Sequence, residues 1–291
     1  MATITLPKAL ATVVLTLTVA ACGASTATPA ADTSPSTTTT IERPDVLVDE
    51  LVAIDSGRMH LRCNGSGDTT VLLIAGWGGG GESWGAIEPT LAERARVCSY
   101  ARFGTGTSDP PSTTQTFETQ ATDLRELLEE AGEPGPYVIV GHSFGGPESV
   151  TFASHYPDDV AGLVLVDASP ATWPTTACSV AAWKPLCDEM HDPTLDPERV
   201  DVLPAFEAVA AIDSLGDLPM TVMTAAHRVA ATLTQGELAR LDAAWAKGVE
   251  RWASLSSAST VVTVQDTGHN IQLDQPALVI DEVARLLEVT S

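Results

Sequence analysis

The sequence predicts an α/β domain built on a mainly parallel eight-stranded sheet flanked by helices, with a short lid between strands 6 and 7. Three observations carry that prediction. Strand-like and helix-like segments alternate from about residue 50 to the end, with no second low-complexity linker to divide the body. An apolar strand runs straight into a glycine-flanked serine at position 143 and then into a helical pattern. A Pro-rich stretch of about 50 residues breaks the alternation after Asp167, longer than an ordinary connection.

The N-terminal end stands apart from this body. Residues 1–21 carry one basic residue, Lys8, and then an apolar run over 9–21 that is too short for a permanent membrane span but fits the core of an export signal. The run ends Val19-Ala20-Ala21-Cys22-Gly23, which resembles the lipobox at which bacterial lipoproteins are cleaved. Cys22 is then the expected lipid-bearing N-terminus, an ordinary cleaved signal with an incidental cysteine being the alternative. Residues 22–45 are dominated by Ser, Thr, Ala and Pro, have almost nothing apolar to bury, and are expected to form a flexible tether. The α/β domain is therefore placed at 46–291, and the protein in the cell envelope, lipid-anchored to the outer face of the membrane, or secreted.

A chain of 291 residues with 44% hydrophobic content can bury a sizeable core. Its formal charge is −23; loss of residues 1–21 removes one Lys and leaves 14 basic against 38 acidic groups, or −24. Such a field repels nucleic acid and anionic lipid surfaces, so neither is expected as a partner, and membrane association is expected only through a lipid anchor. Apart from Cys22, Cys63, Cys98, Cys178 and Cys187 remain, an even number in a chain expected to enter an oxidising space, which points to two disulfides. There is no CxxC and no nearby pair of histidines at ligand spacing, so no metal site is expected.

Strands are predicted near 49–54, 58–64, 70–75, 96–101, 137–140, 161–167, 219–224 and 260–264. Helices follow from apolar stripes: Phe117, Ala121, Leu124, Leu128 and Ala131; then Leu238, Leu241, Trp245, Val249 and Trp252; then Ile280, Val283 and Leu287 in a closing helix starting near Pro276. Each stripe reads as a core face. The lid is expected over about 170–217, with Pro170, Pro174, Pro185, Pro193 and Pro197 among its prolines, two tryptophans and two cysteines.

The chemistry centres on Gly141-His142-Ser143-Phe144-Gly145-Gly146, a G-x-S-x-G in the strand, tight turn and helix setting of a nucleophile elbow. Glycines suit it because the turn holds the serine at strained backbone angles and leaves no room for flanking Cβ atoms. A serine hydroxyl needs an adjacent base, and the candidate is His269, placed by a β-branched strand over 260–264, a short loop and the closing helix. The other histidines lack that setting, with His227, just past a strand end, held in reserve.

On Gly141-His142-Ser143-Phe144-Gly145-Gly146 and Gly268-His269, the chain from about 46 to 289 resembles the α/β-hydrolase superfamily, esterase and lipase branch. The resemblance implies a third, acidic member, commonly after the strand preceding the histidine strand. Here that strand ends Met223-Thr224-Ala225-Ala226-His227 without a carboxylate. Asp167, closing the apolar strand 162–166, is the better-placed acid and keeps the chain order Ser, Asp, His; Asp242, Asp213 and Asp266 stay open. The resemblance further implies an oxyanion hole from the Phe144 N–H and, in the loop Ala75-Gly76-Trp77-Gly78, the Trp77 N–H. Tyr100-Ala101-Arg102-Phe103-Gly104 matches the family's Tyr-Asp-x-x-Gly segment, except that Ala101 replaces the Asp and Ala75 stands where His is usual. The usual sheet order sets strand 2 beside strand 4, which would pair Cys63 with Cys98 and leave Cys178 to Cys187 within the lid.

The expected function is hydrolysis of esters of small or medium apolar substrates through an acyl-enzyme, with no cofactor. Trp173, Trp183, Phe206 and Met190 are candidate pocket walls, or else lid core. Dehalogenase-like chemistry would want a carboxylate at position 143. Gly76-x-Gly78-x-x-Gly81 formally satisfies a dinucleotide fingerprint, but no acid ends the following strand to hold a ribose. The departures at Ala75 and Ala101 keep open an inactive, anchored binding module. The oligomeric state stays open, as do amide, thioester and lactone substrates, because fold and triad do not choose among them.

Overall fold

The computed structural model describes residues 47–226 and 233–290. The export segment 1–21, Cys22, the tether 22–45 and His227 lie outside the described residues. Among those described, no helix is long and apolar enough to cross a membrane.

The body is one eight-stranded sheet ordered β1-β2-β4-β3-β5-β6-β7-β8. Its strands are β1 (Val48–Ile54), β2 (Gly57–Asn64), β3 (Thr70–Ile74), β4 (Arg96–Ala101), β5 (Tyr137–His142), β6 (Val160–Val166), β7 (Met220–Ala225) and β8 (Ser259–Val264). The pairs β1–β2 and β2–β4 are antiparallel and the rest parallel. Central strands β3, β5 and β6 are near-continuous apolar runs because both faces are covered, as parallel strands require.

Side-chain alternation divides the core in two. Leu72, Ile74, Ile139, Leu163 and Leu165 face one layer, packed with α2 (Phe117–Glu130) and α3 (Gly145–His155); Val71, Leu73, Val138, Val140, Val164 and Val166 face the other, packed with α1 (Glu88–Ala92) and α9 (Pro276–Thr290). Helix α2 starts at a reciprocal cap between Thr116 and Thr119, and α7 (Gln235–Ala253) at one between Thr234 and Glu237. The predicted stripe of α9 is offset: Val279, Val283 and Leu286 are buried, while Ile280 and Leu287 flank them.

Cys63 and Cys98 stand directly opposite in the β2–β4 register and are joined, with Cα atoms 4.1 Å apart. A second disulfide, Cys178–Cys187, ties α4 (Trp173–Cys178) to α5 (Lys184–His191). Helix α6 (Val202–Ala210) completes the insertion between β6 and β7. Its Val202, Phe206 and Val209 are buried in the main core, so only the first half of the predicted lid covers the site. Phe206 packs against the Phe117 and Phe144 rings, and Met190 is fully buried, so both are core and neither lines the cavity.

Candidate active site

Strand β5 delivers Ser143 at the sheet's carboxyl edge with φ of 52°, a left-handed conformation costly for a non-glycine residue. Its neighbours explain the glycines. A Cβ on Gly145 would come within 2.3 Å of the Ile74 carbonyl oxygen, and one on Gly141 within 2.6 Å of the Gly145 carbonyl oxygen. The backbone at Gly145 is therefore pressed against the end of β3, and the turn around the serine closes on itself. Its N–H donates to Val166 O at 3.2 Å, and its carbonyl accepts from Ser169 N at 2.9 Å.

Three sequence-nominated residues meet here. His269 Nε2 lies 2.8 Å from Ser143 Oγ, and His269 Nδ1 lies 2.7 Å from Asp167 Oδ2. Strand β6 ends at Val166, one residue earlier than predicted, and Asp167 turns out of it at φ 40° with its N–H on Met223 O at 2.8 Å. That kink points the carboxylate across the tip of β7, whose own end lacks an acid. Asp242, Asp213 and Asp266 are exposed.

The Asp167 side chain is fully buried and its second oxygen is well satisfied. Oδ1 accepts from Trp245 Nε1 at 3.1 Å, Ala225 N at 3.2 Å and Thr224 Oγ1 at 3.2 Å. The indole donor was missed from the sequence, where the Leu241 and Trp245 stripe of α7 reads as core only; both residues also line the cavity. The histidine loop is fixed twice: Asp274 Oδ2, at the end of the short α8 (Ile271–Asp274), accepts from Gly268 N at 2.9 Å, and the ring of His142, the residue before the nucleophile, reaches the His269 carbonyl oxygen at 3.0 Å through Nε2. Burial, and secondarily the nearby His269, push His142 down to about 4, so it is a neutral donor to that carbonyl at physiological pH.

The loop after β3 rests on a buried charge cluster. The Arg102 guanidinium donates to Ala75 O at 2.5 Å, to Gly76 O at 3.2 Å and to Glu148 at 2.9 Å, with Glu198 at 3.6 Å. Glu198 Oε1 accepts from Gly78 N at 2.6 Å, and Tyr100 OH bonds Glu148. Burial opposes the charge on Arg102, but Glu198 and Glu148 outweigh it and raise its pKa; burial raises that of Glu198. The loop backbone is thus gripped on both sides of Trp77. The Trp77 and Phe144 N–H groups meet no protein acceptor among the described residues, and their rings stack at 5.3 Å. Arg102 sits inside the segment singled out for its missing Asp, the one sequence signal for this cluster. The glycines at 76–81 lead into a 3₁₀ turn, Gly81–Trp84, and the five-residue α1, which lacks the long helix that a dinucleotide site needs.

A cavity of about 340 Å³ opens on Ser143 and His269, walled by Trp77, Trp173, Trp183, Trp245 and Leu186 among others. Two groups of potential ligands for a cation were found among the described residues, and each contains a disulfide pair, Cys63–Cys98 with Glu133 or Cys178–Cys187 with His191, so their sulfurs are not free thiolates.

The family profile for the α/β hydrolase fold matches residues 69–186. The uncharacterized protein YqjL of Bacillus subtilis is 25% identical over 239 residues, 80% of this chain and 89% of the relative. The soluble epoxide hydrolase of Corynebacterium sp. is 38% identical over 117 residues, 40% of each chain. A thermophilic esterase from Thermogutta terrifontis superposes with a TM-score of 0.60 at 22% identity, covering 84% of this chain and all (100%) of the other.

Proposed function

Because the chain has the α/β-hydrolase fold, we infer that it is a serine hydrolase cleaving carboxylic esters of small or medium apolar substrates through an acyl-enzyme. The observation that carries this reading is the unbroken hydrogen-bond series from Ser143 Oγ through His269 to Asp167. In this mechanism Ser143 Oγ attacks the ester carbonyl while His269 Nε2 takes its proton, and the imidazolium then protonates the leaving alcohol. The buried Asp167 keeps the Nδ1 proton in place and stabilises that imidazolium. The Trp77 and Phe144 N–H groups receive the oxyanion, and water repeats the sequence on the acyl-enzyme. A serine at position 143 favours this route over one through a carboxylate ester of the enzyme, although one relative is named an epoxide hydrolase.

The test is fluorophosphonate labelling of the purified protein beside Ser143→Ala and His269→Ala, with p-nitrophenyl ester hydrolysis followed in parallel. Labelling and turnover lost in both variants support the reading. An unlabelled but folded native protein would refute it in favour of an inactive binding module. Export with lipidation at Cys22 belongs to the same proposal, and a mature N-terminus elsewhere, found by mass spectrometry, refutes that part.

A further inference from the structure

The cavity over Ser143 is apolar, but its shape and electrostatics are not those of a plain acyl slot. The Trp173 ring meets Trp183 at 54° and 5.5 Å, and Trp245 at 79° and 5.6 Å. Rings so inclined cannot form the parallel walls that grip a flat arene; packed on one another, they give the cavity a curved aromatic wall. Trp77, stacked on Phe144, adds a fourth indole to the lining. A rounded occupant is either a branched alkyl group or an alkylammonium.

Charge decides between them. No Lys or Arg lines the cavity among the described residues. Lys184, next to Trp183, is neutralised by Asp188 at 2.6 Å, and Arg102 behind Phe144 is held by Glu148 and Glu198. The Asp167 carboxylate lies behind the Trp245 indole that donates to it. A groove of about 400 Å³ shares Trp77 and Leu186 with the cavity and adds the exposed Glu189, while the Asp196 carboxylate beside it is buried on the Glu198 and Val200 N–H groups. Around all of this the chain carries −23, a field that concentrates cations at an apolar cleft.

We propose that the cavity is a subsite for a small quaternary ammonium group, held against Trp173, Trp183 and Trp245 with the Glu189 carboxylate near its rim, on the ester that Ser143 attacks. This rests on the serine-hydrolase reading. The chemistry is attraction of a poorly hydrated cation to the negative faces of indoles, strongest where water is excluded. A cavity of about 340 Å³ matches the lower end of small-ligand sites, which fits a short ammonium alcohol or acid.

The experiment uses the full chain and two probes of one shape, choline and its uncharged carbon isostere dimethylbutanol, as protectants against fluorophosphonate labelling. Choline is expected to protect at about tenfold or more lower concentration than the isostere. Butyrylcholine is expected to exceed dimethylbutyl butyrate in kcat/KM by a similar factor, the margin shrinking at high ionic strength as steering is screened. Trp183→Leu, at a half-buried position, is expected to weaken protection by choline several-fold more than protection by the isostere. Equal or better protection by dimethylbutanol, in protein that labels, overturns the ammonium subsite and leaves the hydrolase standing. Failure of the native protein to label overturns both.

Discussion

Replacing Asp167 by Asn changes one atom type in a site where the structure dictates how the amide must sit. Three donors, Trp245 Nε1, Ala225 N and Thr224 Oγ1, surround Oδ1, so the amide oxygen must stay there and the NH2 must face His269 Nδ1. The ring then accepts at Nδ1 and carries its proton on Nε2, the atom 2.8 Å from Ser143 Oγ, and can no longer take the hydroxyl proton. Loss of the correct tautomer typically costs about 10⁴ in kcat, equivalent to about 5.5 kcal/mol of barrier at 1.36 kcal/mol per tenfold. The flipped amide would place NH2 against three donors and leave a buried polar group unsatisfied, a cost of about 1–3 kcal/mol that disfavours escape by that route. Steady-state hydrolysis of a p-nitrophenyl ester reads the effect, with thermal unfolding as the control for fold. A fall in kcat of less than about tenfold in a folded variant would refute Asp167 as the partner that sets the tautomer.

Glu198→Gln releases the Gly78 N–H from a charged acceptor and removes a counter-charge from Arg102, so kcat should fall about tenfold with KM little changed, a split visible in the same assay. His142 is held near 4 when folded and titrates near 6.5 when unfolded, so the unfolded chain alone binds a proton between those values. Stability is therefore complete above about pH 6.5 and falls as pH drops to 4, by about 3 kcal/mol, and urea melts of His142→Gln should lose that component. Replacing both Cys63 and Cys98 by Ala frees a closure spanning 35 residues, which should lower stability by about 4 kcal/mol in denaturant titration.

Much of the site is local in sequence and therefore legible there. Ser143 announces itself through strand, glycines and helix in one short segment, because the elbow is built from contiguous residues. His269 is similarly marked by the β8 strand, its loop and α9. The disulfide partners follow from sheet order, which depends on the fold class alone; Cys63 and Cys98 are then opposed by register. The ends of the predicted strands shift by a residue or two, since fraying and kinks are set by tertiary hydrogen bonds such as Asp167 N to Met223 O.

The alternation of strands and helices, the elbow at Ser143 and the loop bearing His269 are written in local pattern, since periodicity and turn chemistry act over a few residues. Which carboxylate meets the histidine is set by long-range packing. Asp167 and His269 are 102 positions apart, and the choice over Asp213, Asp242 and Asp266 rests on a single backbone kink and on which acid is buried beside the ring. The same holds for Trp245, a helix-stripe residue whose indole turns out to serve that acid, and for Arg102 and Glu198, 96 positions apart in number yet joined beneath one loop. Buried charge and polar groups must find partners wherever the fold brings them, and sequence spacing carries no record of that meeting.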